Sequence, residues 1–207
     1  MLNDYIARHS TPPDPYLHRL FRATNLHLLR PRMASGPVQG QLLRMLMQLA
    51  RPRTVVEIGT YSGYSALAMA SGMEAGATVH TFEVNDEQEA FTRPWLEGAP
   101  YAAKVEMYVG NVFELLPPMG LSIDVAYIDA NKREYVEYYD LLLPFMHPGS
   151  LLLADNTLWD GHVVDPAYDR DAQTVAIRRF NDRVAADPRV EQVILAERDG
   201  LTLVQVK

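Results

Sequence analysis

The chain has 207 residues, with 19 Lys+Arg against 26 Asp+Glu for a formal net charge of −7. With 48% hydrophobic and 22% charged residues it is an ordinary globular composition, which excludes a disordered chain. It has no Cys, excluding a disulfide scaffold, thiolate zinc sites and Cys nucleophiles. No apolar run approaches the roughly 18 residues of a membrane span, and Met1 opens no signal-peptide pattern. The expectation is a soluble, cytoplasmic protein without membrane contact.

The charge is unevenly spread. Residues 1–53 hold eight Arg and two Asp, net +6, whereas residues 54–207 hold eleven basic and 24 acidic residues, net −13. Arginine also fills 16 of the 19 basic positions and lysine only three.

In chain order, residues 14–29 read as a helix with Leu17, Leu20, Phe21, Leu28 and Leu29 on one broad face. Pro31 stops it. A second helix begins after Ser35-Gly36, with Pro37 near its first turn and Val38, Leu42, Leu46 and Leu49 as its stripe. From Thr54 short apolar strands alternate with helices. Strands are expected at 54–58, 77–83, 104–109, 123–129 and 150–155, and helices near 63–72, 86–97, 111–116 and 132–146. That alternation specifies an α/β fold, a mostly parallel sheet with helices on both faces. The tail differs: a helix over 171–186 carries Ala176, Phe180 and Val184 on one face, followed by apolar runs at 190–196 and 201–206. Arg198-Asp199-Gly200 joins the two runs as a hairpin turn, so an antiparallel pair closes the sheet. The chain reads as one domain, 1–207, with a helical extension over 1–53 and an α/β core over 54–207.

In an open α/β sheet, ligands bind beyond the carboxyl ends of the strands. The first strand runs into Glu57-Ile58-Gly59-Thr60-Tyr61-Ser62-Gly63-Tyr64-Ser65. The next four end at Glu83, at Gly110-Asn111, at Asp129 and at Asp155-Asn156. Any one such acid reads as a solvated strand end or a helix cap. Acids on four of the five strands (Glu57, Glu83, Asp129 and Asp155), with a Gly-rich turn after the first, point to a site.

The turn is not a dinucleotide fingerprint, which needs glycines at Tyr61 and Tyr64. Nor is it a nucleophile elbow, which needs Ser at position 61, and no Gly-Lys-Ser/Thr phosphate loop occurs. A tight turn with Glu57 before it and Glu83 beyond it suits a positively charged nucleoside without pyrophosphate, Glu83 accepting from a ribose diol. Asp129, Asp155 and Asn156 offer three oxygen donors from neighbouring strand ends. They read either as ligands of a hard cation (Mg²⁺, Mn²⁺ or Ca²⁺) or as a polar cluster. Lys132, three residues after Asp129, reads either as a solvated lysine or as a base. In a chain that prefers arginine, it is one of few side chains able to give up a proton beside a divalent cation.

At these residues the chain resembles the cation-dependent O-methyltransferases that use S-adenosylmethionine, of the catechol and caffeoyl-CoA type. Residues Glu57 to Ser65 resemble the family's first cofactor motif, and Thr81-Phe82-Glu83-Val84-Asn85 its ribose-binding segment. Tyr127-Ile128-Asp129-Ala130-Asn131-Lys132 with Tyr135 is similar to the metal-and-base segment, and Ala154 to Gly161 to the second metal motif. Arg32 to Gly40 resembles the N-terminal segment that folds over the cofactor. The likeness spans roughly residues 15–207, with the motifs in matching order.

The resemblance implies a Rossmann-like class I methyltransferase fold with a seven-stranded sheet. It implies metal ligation by Asp129, Asp155 and Asn156, with Lys132 as the base. Cofactor contacts are implied for Met33, Ser35, Glu57, Gly59, Tyr61, Ser65, Glu83, Gly110 and Asp129. Trp159 and Tyr135 either wall an aromatic acceptor or pack in the core, and His162 is placed to touch substrate. The reaction implied is in-line methyl transfer to a phenolic oxygen of a small hydroxylated aromatic acceptor, and the expected assembly is a homodimer. Asn131 stands where many members carry an acid, changing the charge near the cofactor, and no long insertion follows Trp159. Two other readings remain. One is a tRNA uridine-hydroxyl methyltransferase, disfavoured by the acidic total but left room by the basic N-terminal segment. The other is a binding protein that holds S-adenosylmethionine without catalysis.

Overall fold

The computed structural model describes residues 2–207; Met1, the start of the expected single domain, lies outside them. Seven strands form one mixed sheet in the order β3-β2-β1-β4-β5-β7-β6. They are β1 (Thr54–Ile58), β2 (Thr78–Glu83), β3 (Lys104–Val109), β4 (Ile123–Ile128), β5 (Met146–Asp155), β6 (Val190–Leu195) and β7 (Leu201–Val206). Eight α-helices accompany them: α1 (Leu2–His9), α2 (Pro15–His27), α3 (Gly36–Ala50), α4 (Tyr64–Ala70), α5 (Glu89–Glu97), α6 (Val112–Leu115), α7 (Tyr135–Leu142) and α8 (Ala172–Ala185). The mostly parallel α/β sheet with an antiparallel end is the expected one.

The chain divides into two compact units, one formed by residues up to Arg53 with Thr60–Val112, the other by Thr54–Gly59 with Phe113–Lys207. In the first unit β2 and β3 run parallel, from Thr78↔Lys104 to Glu83↔Val109. The Asp14 carboxylate caps α2, accepting from the N–H groups of Tyr16 (2.8 Å) and Leu17 (3.0 Å), as an N-cap acid does. It also accepts from the Tyr101 hydroxyl at 2.7 Å. The α3 stripe differs from expectation. Gln39, Gly40, Leu43 and Met47 are buried, not Val38, Leu42, Leu46 and Leu49, and Leu49 is exposed. The reason is Gly40: a Cβ there would stand 2.8 Å from the Tyr64 ring, so the glycine lets α3 meet α4 on that face. Leu29 likewise lies in water, because α2 ends at His27 and takes Leu29 off the apolar face. Helix α1 has no counterpart among the expected elements.

In the second unit β1 pairs with β4, and β4 with β5, all parallel. Strand β5 then takes β7 antiparallel, and β7 takes β6. Strand β5 begins at Met146, four residues before the expected Ser150. Its register shifts between Ile123 and Val125 of β4, and Pro148 and Gly149 fall in that irregular stretch, where a strand tolerates them. Helix α8 buries the expected Phe180 and Val184 together with Thr174 and Ile177, Ile177 taking the place expected of Ala176. Among the described residues, no helix is long and apolar enough to cross a membrane.

Candidate active site

One cluster of candidate residues lies in the first unit, at the turn before α4 and the end of β2. Tyr61 has φ 46°, and its N–H donates to the Glu83 Oε2 at 2.8 Å. The Asn85 N–H donates to Glu83 Oε1 at 2.9 Å. The two bonds fix the carboxylate as strand β2 ends and leave lone pairs on each oxygen for hydroxyl donors. The turn is tied down elsewhere too: Thr92 Oγ1 donates to the Tyr61 carbonyl at 2.5 Å, and the Thr60 and Thr81 hydroxyls pair at 2.6 Å. Gly110 donates its N–H to the Glu83 carbonyl at 2.8 Å, bringing the end of β3 to the same place. Ser65 is buried in the first turn of α4, and Ser62 Oγ is buried with no hydrogen-bond partner. A buried hydroxyl in that state costs about 1–3 kcal/mol unless a bound group satisfies it. Burial pushes the Tyr61 hydroxyl upward in pKa, and Arg30 opposes that shift. Of the other two expected cofactor residues, Ser35 is buried and Met33 is half exposed.

A second cluster lies in the second unit. The Asp129 N–H donates to the Ile58 carbonyl at 2.9 Å, so β4 leaves the sheet beside the end of β1. A Cβ on Gly59 (φ 102°) would stand 2.1 Å from the Asp129 carbonyl oxygen, so no other residue fits this crossing. Glu57, on β1, is fully buried. Ile128 pairs with Ala154, which sets Asp129 and Asp155 at neighbouring strand ends. Asp155 is 1% exposed. Its Oδ2 accepts from the Tyr127 hydroxyl at 3.0 Å and its Oδ1 from the Asn156 N–H at 2.8 Å. These bonds fix the carboxylate, whose oxygens can each accept more than one partner. Asn156 itself turns with φ 60°.

Lys132 is buried and donates from Nζ to Asp129 Oδ1 at 2.9 Å and to the Tyr135 hydroxyl at 2.7 Å. The Tyr135 hydroxyl in turn donates to the Asp155 carbonyl at 2.9 Å. Burial, then the Asp129 and Asp155 carboxylates, hold the Tyr135 phenol well above its ordinary pKa, so it stays a donor. Tyr135 is fully buried, its ring edge-on to Phe180 at 5.4 Å. Of the two expected readings of Tyr135, acceptor wall or core packing, its burial agrees with the second, with its hydroxyl bound to Lys132 Nζ. The Asn131 side chain caps the turn before α7, accepting from the Arg133 N–H at 3.3 Å.

The segment after Asn156 is strained. Trp159 (φ 49°) and Asp160 (φ 52°) join Asn156 in the left-handed region, ahead of Gly161 (φ 80°). Left-handed backbone costs roughly 1–2 kcal/mol per non-glycine residue and clusters at functional sites. The His162 ring stacks on Tyr168 at 3.5 Å between centroids, with 9° between planes.

Two carboxylates and one amide, all oxygen donors, fit a hard cation, and the buried, oriented Asp155 carboxylate fits that use. Among the described residues, no group of three or more His, Cys, Asp or Glu side chains is gathered to hold a metal. Sequence reasoning missed Tyr127. Its partner Asp155 lies 28 residues on, at the end of the neighbouring strand, a pairing that no local pattern shows.

This sheet order, mostly parallel with an antiparallel C-terminal pair, defines a Rossmann-like fold, the kind that binds ligands beyond its strand ends. Comparison with known proteins agrees. Residues 7–207 match the O-methyltransferase family, and the chain belongs to that family as an enzyme dependent on S-adenosylmethionine. It is 36% identical over 185 residues to tricin synthase 1 of Oryza sativa subsp. japonica, covering 83% of this chain and 73% of that protein. It is 32% identical over 186 residues to a catechol O-methyltransferase of Niastella koreensis, covering 86% and 84% respectively. The crystal structure of a Bacillus cereus O-methyltransferase in complex with SAH superposes with a TM-score of 0.90 at 29% identity, covering 100% of this chain and 97% of that one.

Proposed function

We propose that the protein methylates one of two vicinal hydroxyls on a small, catechol-like aromatic acceptor, with the help of a divalent cation, Mg²⁺ before Mn²⁺ or Ca²⁺. The observation that carries this reading is the buried Asp155 carboxylate beside the Lys132–Asp129 pair. S-adenosylmethionine supplies an electrophilic methyl on a cationic sulfur. A bound divalent cation supplies Lewis-acid polarisation, which makes a phenol near pKa 10 a usable nucleophile at neutral pH.

The chain's own residues do the rest. Glu83, oriented by the Tyr61 and Asn85 N–H groups, accepts from the ribose hydroxyls. Glu57, Gly59, Ser65, Gly110, Met33 and Ser35 complete the donor site. Asp129, Asp155 and Asn156 hold the cation, two anions balancing its charge while the amide adds no repulsion. Lys132 takes the acceptor's proton on Nζ, and Tyr135 fixes where Nζ stands. Trp159 and His162 flank the acceptor ring. Fixing donor and acceptor in line is the larger contribution to rate, since it removes the entropy of bringing them together.

A second reading has one observation in its favour: residues 15–56 contain seven Arg and no acid, which suits an anionic acceptor such as RNA. A catalytically silent binder is disfavoured by the intact Asp129, Lys132, Asp155 and Asn156 set. The test is formation of S-adenosylhomocysteine from a catechol panel and from tRNA, with and without Mg²⁺. Turnover of catechols that needs the cation supports the reading, and turnover of tRNA alone replaces it.

A further inference from the structure

The strained loop after Asn156 is held from two sides. From the turn between β6 and β7, the Asp199 carbonyl accepts the N–H groups of Leu158 (2.9 Å) and Trp159 (3.3 Å), and the Gly200 carbonyl accepts that of Thr157 at 3.1 Å. From α8, Arg178 reaches the far part of the loop with four bonds. Its Nε donates to the Val163 carbonyl at 2.8 Å, its Nη2 to the carbonyls of His162 and Asp165 at 3.0 Å each, and its Nη1 to Asp169 Oδ1 at 2.6 Å.

Three of those four acceptors are neutral backbone carbonyls, so charge is not what the arrangement uses. It uses a planar fork with five N–H groups in fixed directions, which lysine cannot reproduce. The fourth partner, Asp169, is an exposed side chain at 60% and contributes little. Arg178 is also dispensable to its own helix, because α8 is anchored by Ile177, Phe180 and Val184 in the core. A side chain that its helix does not need, and that binds four points on one strained loop, serves the loop.

We propose that Arg178 is a positioning residue for methyl transfer: it fixes residues 162–169, and with them His162, against the acceptor ring. The inference rests on the acceptor reading given above. Because donor and cation residues lie outside the clamped loop, its signature is a defect confined to the acceptor. A misplacement of about 1 Å costs on the order of a hundredfold in turnover of a bound substrate.

The experiment compares wild type with Arg178→Ala, Arg178→Lys and Asp169→Ala, all full-length. Kinetics use a catechol acceptor, S-adenosylmethionine and Mg²⁺, alongside S-adenosylmethionine binding by calorimetry and amide hydrogen exchange of the free protein. Arg178→Ala is expected to lower kcat/KM for the acceptor about 10- to 100-fold, mainly through kcat, and to speed exchange in 162–169, with donor affinity within twofold and exchange in α8 and β7 unchanged. Arg178→Lys is expected to behave like Arg178→Ala, added guanidinium to recover part of the Ala loss, and Asp169→Ala to stay near wild type. Wild-type acceptor kinetics in Arg178→Ala overturn the inference, as does an equal loss of donor affinity, which marks a general structural defect. Wild type that methylates no catechol overturns the acceptor reading itself, a result separate from an active wild type with an indifferent Arg178→Ala.

Discussion

Lys132 Nζ stands 2.9 Å from Asp129 Oδ1, an ion pair three residues apart whose side chains are 9% and 17% exposed. The pair joins the residue proposed as base to a residue proposed as metal ligand. Lys132→Arg keeps the positive charge beside Asp129 but cannot give up a proton under working conditions. We expect its kcat to fall by about 10²- to 10⁴-fold, the range of general base catalysis. S-adenosylmethionine affinity, measured by calorimetry, is expected to stay within a few-fold. Near-wild-type kcat at neutral pH would rule out Lys132 as the base.

Tyr127 supports Asp155 from the neighbouring strand. Partners that orient a metal ligand typically set metal affinity by about 10- to 100-fold. Tyr127→Phe therefore is expected to raise the Mg²⁺ concentration for half-maximal activity by about that factor, with little change in donor binding. A Mg²⁺ titration identical to wild type would show that the Tyr127 hydroxyl has no part in holding the cation.

Gly59 meets the Asp129 carbonyl with no room for a Cβ, and its φ of 102° disfavours any side chain. Gly59→Ala is expected to lower stability by about 1–3 kcal/mol or more and to abolish stabilisation by S-adenosylmethionine in thermal melts. A variant that melts like wild type and still shifts with the donor would contradict the close approach described.

Asp187 links stability to pH. Hydrogen bonds from Arg189 first, then from Arg183 and the Tyr139 hydroxyl, hold this buried carboxyl far below the usual carboxylate range, burial opposing them. A folded-state pKa depressed below the unfolded value means the unfolded chain binds the proton more tightly. The resulting stability is full above about pH 4 to 5 and is lost as the pH falls through the folded value. Asp187→Asn is expected to cost about 1.5–3 kcal/mol near pH 7, the range for hydrogen bonds to charged groups, and to flatten the acid limb of the stability curve. Urea unfolding between about pH 3 and pH 7 reads both. An acid limb unchanged in the variant would assign it to other carboxyls.

Most of the architecture was legible because its signals are local. Strands β1, β3 and β7 start and stop where alternation and turn residues place them. The hairpin before β7 turns through Arg198 (φ 47°) and Gly200 (φ 90°), within the tripeptide that marks it in the sequence. The strand-end residues were legible for the same reason, since a parallel sheet sends successive strand ends to one edge. What escaped depends on contacts distant in sequence. The α3 face is chosen by Gly40 against Tyr64, a fit that periodicity alone cannot reveal. Tyr135 has the chemistry of an acceptor wall, and only its packing on Phe180 assigns it to the core. The short turns at Trp159–Val164 and Pro166–Tyr168 have no periodic pattern; they are held by Arg178 and Asp199 from other elements.

The central claim is that methyl transfer needs a divalent cation held by Asp155 and its neighbours. The most direct test measures S-adenosylhomocysteine formation from a catechol by wild type and Asp155→Ala, with Mg²⁺ and with EDTA, alongside donor binding under each condition. The account predicts turnover in wild type with Mg²⁺ alone, and loss of at least about 10²-fold in EDTA or in Asp155→Ala, with S-adenosylmethionine still bound. Full wild-type turnover in EDTA would contradict it.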